Sequence, residues 1–314
     1  MKILFYGYND HAQVWLDGLS RLLPGTQLRM WQEGDDAPAD YIVVRKPPTE
    51  MLQPRDGLKA IFNIGAGVDA LISALSRTGL VPTQHGVMIV RLDYEAMAHQ
   101  MTEYVTHAVV HHFRGFDEYA RQQARACWNT LHGRRKEEFH VGILGLGTLG
   151  THTGKALAAT GFPVRGWSRS RKQVDGVPSY AGATEFDGFL DGLSVLVNML
   201  PLTPATENIL DRNVFAKLPR GAYVVNVGRG AHLVEEDLLA AVQGGHIAGA
   251  RLDVCRTEPL PADHPFWSDP RISVTPHIAS SIVLEESVKE IAEKIRALEM
   301  GQSVSGVVDW AFGY

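Results

Sequence analysis

The sequence has few cysteines, no long apolar run and no excess of positive charge. Its two cysteines, Cys127 and Cys255, stand far apart and do not form a C-x-x-C pair. This usage argues against a disulfide framework and a zinc site, and it suits a reducing cytosol. No run of about 18 apolar residues occurs, and the apolar start MKILFYGYND is too short for a signal peptide. We therefore expect a cytoplasmic protein without a membrane span.

The charge balance argues against further classes of partner. Lys and Arg total 30 against 35 Asp and Glu, which gives a formal net charge of −5. Such a balance provides no general attraction to nucleic acid or to an anionic membrane. Hydrophobic residues make up 45% of the 314 residues and charged residues 21%, as in ordinary globular proteins. A chain of this length is long enough for two domains with large cores.

A glycine motif lies between two predicted strands in the segment 139–170. An apolar run over 140–144 predicts a buried strand, and 163–167 predicts a second strand. Between them stand Gly145-Leu146-Gly147-Thr148-Leu149-Gly150 and a helical stripe that stops at Gly161. This order of strand, turn, helix and strand is the context in which G-x-G-x-x-G binds a dinucleotide. The motif alone is also compatible with a plain turn, but the context favours the dinucleotide.

Each glycine of the motif has its own physical reason. Gly145 allows the tight turn out of the strand, Gly147 lets a pyrophosphate approach the backbone, and Gly150 lets the helix pack closely on the strand. The helix N-terminus offers unpaired N–H groups and a positive dipole end to the phosphates. We therefore predict cofactor binding by Gly145, Gly147, Thr148, Leu149 and Gly150.

The end of the second strand indicates which dinucleotide binds. An NAD site usually has an Asp or Glu about 20 residues beyond the glycines, where it bonds the ribose 2′-hydroxyl. This chain has no acid there; it has the run Ser168-Arg169-Ser170-Arg171-Lys172. A solvated basic turn is the alternative, but hydroxyls and cations suit the 2′-phosphate of NADP. We predict NADP, with NADPH preferred over NADH, bound by Ser168, Arg169, Ser170 and Lys172.

Strands and helices alternate along most of the chain, which predicts an α/β fold with parallel sheets. In the first part we predict strands at 3–6, 28–31, 41–44, 60–63 and 88–90. A mostly helical segment, 94–126, follows. From residue 139 onward we predict six strands, at 140–144, 163–167, 195–199, 222–227, 248–254 and 272–275. Six strands with the glycine motif on the first are typical of the doubly wound dinucleotide-binding sheet, whose ligand lies at the C-terminal strand ends.

The helical segment carries several histidines. His107 and His111 have the i, i+4 spacing of a metal-binding pair, but no third ligand is evident. We interpret His107, His111 and the neighbouring His112 as packing or interface residues, and we predict no metal.

Three strand ends in the second part carry side chains suited to acid–base chemistry on an anion. Arg229, Glu258 and His277 each follow a different predicted strand, so they converge on one edge of the sheet. The planar fork of an Arg bonds both oxygens of a carboxylate. A His gives or takes a proton near neutral pH, and a carboxylate beside it favours the imidazolium. Each residue alone is more typical of a surface Arg, a loop Glu or a packed His, and it is their shared placement that favours acid–base chemistry.

Six motifs together resemble the D-2-hydroxyacid dehydrogenase family over nearly the whole chain. They are GAGVD (65–69), GILGLGTLG (142–150), LPLTPAT (200–206), NVGRG (226–230), LDVCRTEPLP (252–261) and TPHIA (275–279). WSRSRK after the second strand of the second part, and the ending VVDWAFGY, are similar to a bacterial branch that reduces glyoxylate and hydroxypyruvate.

The resemblance implies two doubly wound parallel-sheet domains. A flavodoxin-like substrate domain would comprise 1–98 and 285–314, and a Rossmann dinucleotide-binding domain 99–284. A homodimer would be built on the helix near 101–125. The implied activity is NADPH-dependent reduction of a small 2-oxoacid, glyoxylate or hydroxypyruvate. Two alternatives stay open: an NAD-dependent dehydrogenase of D-lactate or phosphoglycerate type, and a dinucleotide sensor without turnover.

The resemblance also implies roles for single residues. Arg229 would bind the carboxylate and carbonyl of the 2-oxoacid, His277 would be the general acid in reduction, and Glu258 would pair with His277. The backbone amides of Ala66 and Gly67 would hold the carboxylate, although the glycines there are by themselves more typical of a tight turn. The implied cofactor residues are Leu200, Pro201, Thr206, Val227, Gly228 and Asp253, the last facing the nicotinamide carboxamide.

One position departs from the pattern of the branch. An aromatic residue is expected before the Pro-Pro pair of the first domain, and this chain has Arg45-Lys46-Pro47-Pro48. We expect Arg45 to face the substrate, which leaves the identity of the 2-oxoacid open.

Overall fold

The computed structural model describes residues 1–7, 12–92 and 95–314, without the side chains of residues 95 and 96. Position 94, where the predicted helical segment starts, lies outside the described residues. The chain forms two compact units, Met1–Ala96 with Ile282–Tyr314, and Met97–Ser281. The bounds of these units differ by a few residues from the domain bounds expected from the sequence.

The first unit is built on a sheet of five parallel strands. Its strands are β1 (Lys2–Tyr6), β2 (Gln27–Met30), β3 (Tyr41–Val44), β4 (Ala60–Asn63) and β5 (Met88–Arg91). Their order across the sheet is β2-β1-β3-β4-β5, and every pair is parallel. This is the order of flavodoxin-like sheets. Every residue of β3 and β4 is buried, as expected for a parallel sheet that is covered on both faces.

The second unit is built on a sheet of seven parallel strands. Its strands are β6 (His140–Leu144), β7 (Val164–Ser168), β8 (Ser179–Ala181), β9 (Leu193–Asn198), β10 (Ala222–Asn226), β11 (Ile247–Leu252) and β12 (Ile272–Val274). Their order is β12-β11-β10-β9-β6-β7-β8. Counted from β6, this is the doubly wound order 3-2-1-4-5-6 with one further strand. The predicted α/β class with two doubly wound parallel sheets is confirmed.

Helices cover the faces of both sheets. They are α1 (Ala12–Leu22), α2 (Asp69–Leu75), α3 (Pro82–His85), α4 (Glu95–Arg114), α5 (Phe116–Ala124), α6 (Thr148–Ala159), α7 (Phe186–Leu190), α8 (Arg212–Lys217), α9 (Glu235–Gln243) and α10 (Leu284–Glu299). Short 3-10 turns lie at Thr49–Leu52, Lys136–Glu138, Ala183–Glu185, Gly230–His232 and Pro265–Trp267.

The C-terminal helix α10 completes the first unit. Val288, Ile291 and Ile295 of this helix share a buried cluster with Trp15 and Leu19 of α1. The two helices approach closely at Gly18, because a Cβ atom built there would lie 2.7 Å from Cγ1 of Val288. The chain therefore returns from the second unit to finish the core of the first.

Two details of the second unit differ from the sequence prediction. Strand β8 was not predicted, because Ser179–Ala181 is only three residues long, half-buried and without an apolar run. The helical segment is two helices, because Gly115 between α4 and α5 has a left-handed backbone with φ 68°. The six predicted strands are present, with bounds shifted by a few residues.

Candidate active site

The glycine motif joins β6 to the N-terminus of α6, as its spacing predicts. Gly145 has φ 104°, and a Cβ built there would lie 2.8 Å from the carbonyl oxygen of Met199. A Cβ at Gly150 would lie only 1.8 Å from the carbonyl oxygen of Gly145. Gly147, the residue before the first turn of α6, has no atom within 4 Å of its built Cβ. The fold thus requires glycine at 145 and 150, and it leaves open space at 147, where a dinucleotide pyrophosphate would approach.

The basic turn after β7 places the four residues predicted for the 2′-phosphate close together in the chain, with different exposure. Ser168 is 8% exposed, and its hydroxyl donates to the carbonyl of Ser170 at 2.7 Å. The side chains of Arg169, Ser170 and Lys172 are exposed. Arg171 turns away, because its guanidinium bonds the Glu185 carboxylate and the Ser179 carbonyl. The structure gives Ser168 a role in shaping the turn, and Arg169 and Lys172 lie on its exposed surface together with the paired Arg171.

A buried polar network lies beneath Arg229, and sequence reasoning missed it. Asn198 and Asn226 end the neighbouring strands β9 and β10, and neither they nor His232 have any exposed surface. The Asn198 amide donates to Oδ1 of Asn226 and to Nδ1 of His232, each at 2.9 Å. The Arg229 N–H also donates to Nδ1 of His232, at 3.0 Å. Asn226 in turn donates to the carbonyl of Arg229 at 3.1 Å, so both backbone groups of Arg229 are held.

The loops that follow β10 and β11 pack against each other through Gly230. A Cβ built at Gly230 would lie 1.9 Å from the carbonyl carbon of Cys255, so only glycine allows this contact. The N–H of Cys255 donates to Oε1 of Glu258 at 3.2 Å. Burial raises the pKa of the Cys255 thiol to about 11, so the thiol stays protonated near neutral pH. The hydrogen bond from the Cys255 N–H therefore fixes one carboxylate oxygen of Glu258 next to the loop that carries Arg229.

His277 and Glu258 form a direct pair. Nδ1 of His277 lies 2.9 Å from Oε2 of Glu258, and both side chains are partly exposed, at 46% and 37%. An ionised carboxylate only accepts hydrogen bonds, so Nδ1 carries the proton in this pair. The other ring nitrogen, Nε2, is then the atom available to a reacting group. The pairing expected from the resemblance is therefore present in the geometry.

The turn that carries His277 is organised by the carboxylate of Asp253. Asp253 is 2% exposed; its Oδ1 accepts from the Thr275 hydroxyl at 2.7 Å and from the Ile278 N–H at 2.8 Å. Its Oδ2 accepts from the Ala279 N–H at 2.8 Å. His277 has a left-handed backbone with φ 58°, and its N–H donates to the Asp253 carbonyl at 2.9 Å. Asp253 therefore holds the turn in the conformation that presents His277.

Helix α4 also contacts the turn that carries His277, through the side chain of Tyr104. The Tyr104 hydroxyl lies 2.5 Å from the Thr275 hydroxyl, which itself donates to Asp253. Burial raises the pKa of Tyr104, which keeps its phenol protonated and able to donate to Thr275. The hydroxyls of Tyr104 and Thr275 thus form a chain that ends on the Asp253 carboxylate.

The loop after β9 is closed by Thr206. Its hydroxyl donates to the carbonyl of Pro201 at 2.7 Å and accepts from the N–H of Thr203 at 2.9 Å. Leu200 and Val227 are 7% and 6% exposed. Their side chains belong to buried clusters on opposite faces of the sheet. These two residues therefore support the strand ends chiefly through packing.

In the first unit, the predicted anion turn follows β4. The Asn63 side chain donates to the carbonyls of Gly65 and Gly67, each at 3.0 Å, and Gly65 has φ 136°. Among the described residues, no hydrogen bond is made by the amides of Ala66 and Gly67. Arg45 follows β3, where it is half-buried and its N–H donates to the Tyr6 carbonyl at 3.0 Å.

Comparison with known families decides the identity of the fold. Residues 106–279, more than half of the chain, match the model of the NAD binding domain of D-isomer specific 2-hydroxyacid dehydrogenases. The chain belongs to this family.

Relatives of this dehydrogenase match it from end to end. It is 49% identical to glyoxylate/hydroxypyruvate reductase A of Serratia proteamaculans, with 100% of both chains covered. The crystal structure of a D-isomer specific 2-hydroxyacid dehydrogenase from Xanthobacter autotrophicus, in complex with NADPH and MES, has a TM-score of 0.91 at 38% identity. That comparison covers 100% of this chain and 99% of the other. The NADPH-dependent glyoxylate/hydroxypyruvate reductase of Sinorhizobium meliloti, in complex with NADP and sulfate, has a TM-score of 0.90 at 32% identity, with 100% and 99% covered.

The histidines of the dehydrogenase's helix α4 have packing partners. His112 is 6% exposed and stacks on Tyr223 with ring centroids 4.6 Å apart. Burial lowers the pKa of His112 to about 4. Nε2 of His111 lies 2.7 Å from Oδ1 of Asp117 on α5, an acid that the sequence interpretation overlooked. Across the described ranges, no cluster of three or more His, Cys, Asp or Glu side chains could hold a metal ion. None of the helices in those ranges is long and apolar enough to cross a membrane.

Proposed function

We propose that this dehydrogenase reduces glyoxylate and hydroxypyruvate to the corresponding 2-hydroxyacids with NADPH. The observation that carries the proposal is the Glu258–His277 pair, at 2.9 Å. It stands at the C-terminal strand ends of the same sheet whose β6 carries the glycine motif. The relatives named as glyoxylate/hydroxypyruvate reductases support the choice of substrates.

In this proposal Arg229 binds the carboxylate of the 2-oxoacid and polarises its carbonyl. A guanidinium forms two parallel hydrogen bonds with a carboxylate, so it fixes orientation as well as charge. The backbone of Arg229 is held on both sides by His232 and Asn226, which suits a group that must place a substrate with precision. In the first unit, the amides of Ala66 and Gly67 would bond carboxylate oxygens.

His277 is the proposed proton donor, through Nε2. When bound, NADPH supplies the hydride that reduces the carbonyl carbon. His277 delivers a proton to the carbonyl oxygen, and the ionised Glu258 stabilises the imidazolium that must exist before this transfer. The reverse reaction uses the neutral imidazole as the base. Asp253 keeps the turn in place through its bonds to the amides of Ile278 and Ala279.

The residues around the glycine motif fit the dinucleotide. The N-terminus of α6, with Thr148 and Leu149 in its first turn, would bind the pyrophosphate. We propose that Arg169 and Lys172 bind the 2′-phosphate, with Ser168 and Ser170 shaping the turn beneath it. Oδ2 of Asp253 accepts one amide hydrogen bond, so it retains capacity for the nicotinamide carboxamide. Leu200, Pro201, Thr206, Val227 and Gly228 would line this cleft.

A spectrophotometric screen tests the function. Glyoxylate, hydroxypyruvate, pyruvate and 3-phosphohydroxypyruvate would each be offered with NADPH and with NADH, and the loss of nicotinamide absorbance recorded. We expect the highest kcat/KM for glyoxylate or hydroxypyruvate with NADPH. Preference for NADH with pyruvate or the phosphorylated substrate would favour the D-lactate or phosphoglycerate alternative. Cofactor binding without turnover of any 2-oxoacid would favour a sensor.

We infer further that the protein is a cytosolic homodimer. The thiols of Cys127 and Cys255 are free, as is usual in a reducing compartment. Trp128, after α5, is 97% exposed, and Phe116 of α5 is 43% exposed. Exposed aromatic side chains of this kind suit a surface that a second copy covers. Light scattering coupled to gel filtration tests this inference, since a monomeric mass would refute it.

A further inference from the structure

The ring of His232 connects two loops that the proposed reaction uses differently. Its Nδ1 accepts from the N–H of Arg229, at 3.0 Å, in the loop proposed to bind substrate. Its Nε2 lies 3.2 Å from the carbonyl oxygen of Pro201, in the loop proposed to line the cofactor cleft. The same carbonyl accepts the Thr206 hydroxyl at 2.7 Å. One buried ring therefore lies between Arg229 and the Pro201 turn.

The contacts fix the tautomer of this ring. Two donors point at Nδ1, the N–H of Arg229 and the amide of Asn198 at 2.9 Å. His232 and Asn198 have no exposed surface, so a protonated Nδ1 would leave both donors facing a buried N–H in place of an acceptor, and such losses are costly. Nδ1 is therefore unprotonated, and Nε2 carries the hydrogen that it donates to the Pro201 carbonyl.

Resting on the proposed role of Arg229, we propose that His232 is a positioning residue with two separable functions. Through Nδ1 it holds the backbone of Arg229 in register for the 2-oxoacid. Through Nε2–H it orients the Pro201 carbonyl, and with it the turn that is proposed to line the cofactor cleft. A ring that only filled space would give the two nitrogens no separate effects.

Two matched substitutions separate these functions. In His232→Asn, Oδ1 takes the place of Nδ1 and the Nε2 donor is lost. In His232→Gln, Nε2–H keeps the place of the ring Nε2 and the Nδ1 acceptor is lost. Loss of the acceptor leaves buried donors unsatisfied, so we expect His232→Gln to lower kcat/KM for the 2-oxoacid about tenfold or more, with KM for NADPH within about twofold. We expect His232→Asn to raise KM for NADPH at least about fivefold, with KM for the 2-oxoacid nearly unchanged.

The outcomes are distinct. The proposal is supported if His232→Gln affects mainly kcat/KM for the 2-oxoacid and His232→Asn affects mainly KM for NADPH. Equal effects of the two variants on both of these parameters would overturn it. Arg229→Lys, measured in parallel, separates this inference from the proposed function. If that variant loses turnover and His232→Gln does not, the positioning role alone fails; if Arg229→Lys keeps wild-type turnover, the proposed clamp fails.

A measurement on the unaltered protein covers the case in which either variant does not fold. Hydrogen exchange at the imidazole C2 position, followed by mass spectrometry of the peptide that contains His232, reports protonation of this ring. We expect slow exchange with no change of rate between about pH 6 and 8, the range where exposed histidines titrate. A change of rate in this range would show that Nδ1 is not held as an acceptor and would overturn the proposal.

Discussion

The glycine motif allows two neighbouring substitutions to be predicted with opposite consequences. In Gly150→Ala, the new Cβ would lie 1.8 Å from the carbonyl oxygen of Gly145, a distance that forces α6 away from β6. In Gly147→Ala, the new Cβ meets no atom within 4 Å, and the backbone, at φ −79°, accepts an alanine. The first change therefore acts on folding and the second on the space left for the dinucleotide.

The magnitudes follow from these distances. Overpacking of a well-packed site costs about 1–3 kcal/mol, and a clash with backbone belongs at the upper end of that range. For a unit of the size of Met97–Ser281, about 3 kcal/mol corresponds to a fall in Tm of about 6–12 °C. We expect Gly150→Ala to show this fall. Gly147→Ala should keep the Tm within about 2 °C and weaken NADPH binding about tenfold or more, which is a loss of about 1.4 kcal/mol of binding free energy.

Thermal unfolding without nucleotide, followed by circular dichroism, measures the first effect. Titration of NADPH fluorescence measures the second, and each variant serves as the control for the other. Unchanged NADPH affinity in Gly147→Ala would refute the placement of the pyrophosphate at this glycine. An unchanged Tm in Gly150→Ala would refute the close contact between α6 and β6.

Four further predictions concern the proposed chemistry and one buried histidine. Arg229→Lys should lower kcat/KM at least about a hundredfold in steady-state assays, since a point charge does not replace a planar fork. Glu258→Gln should lower kcat for reduction in steady-state assays, because a neutral amide stabilises the His277 imidazolium less than a carboxylate does; an unchanged kcat would remove Glu258 from the mechanism. Arg169→Ala should raise KM for NADPH about tenfold to a hundredfold and leave KM for NADH nearly unchanged, and equal losses would contradict the 2′-phosphate role. Burial lowers the pKa of His112 to about 4, below its value of about 6.5 in the unfolded chain, so the unfolded chain takes up the proton first as the pH falls. The free energy of unfolding should therefore fall by about 3 kcal/mol between about pH 6.5 and pH 4. His112→Phe should flatten this pH dependence in urea titrations.

Fold prediction from the sequence works best where strands are buried on both faces. The runs YIVV and AIFN give β3 and β4 the bounds that the structure shows, because a strand covered on both faces is predominantly apolar. Strand β8 has no such pattern. It lies at the edge of the sheet and pairs only with β7, in the register Gly166↔Ser179. An edge strand is held by backbone hydrogen bonds to its neighbour, and these bonds impose little pattern on its side chains.

The candidate site, like the fold, is predictable from the sequence only in part. Local spacing reveals the turn at the glycine motif, and strand order predicts that Arg229, Glu258 and His277 share an edge. The network of Asn198, Asn226 and His232 joins residues 28 and 34 positions apart, and no local pattern shows which of these residues pair with each other. A signal did exist, since Asn198 and Asn226 each end an apolar strand, in VLVN and YVVN. A polar residue that closes a buried run predicts a partner at the strand end.

The left-handed backbone of His277 has an evolutionary consequence. A residue other than glycine in this region of conformational space carries a local cost of about 1–3 kcal/mol. Glycine would adopt φ 58° with no steric penalty, so selection for backbone stability alone would favour glycine over histidine at this position. The bonds that Asp253 accepts from the neighbouring amides offset the cost and make the histidine tolerable. At this position, selection for stability and selection for the proposed proton transfer therefore oppose each other. A variant with glycine in place of His277 would relieve the backbone cost and lose the proposed proton donor.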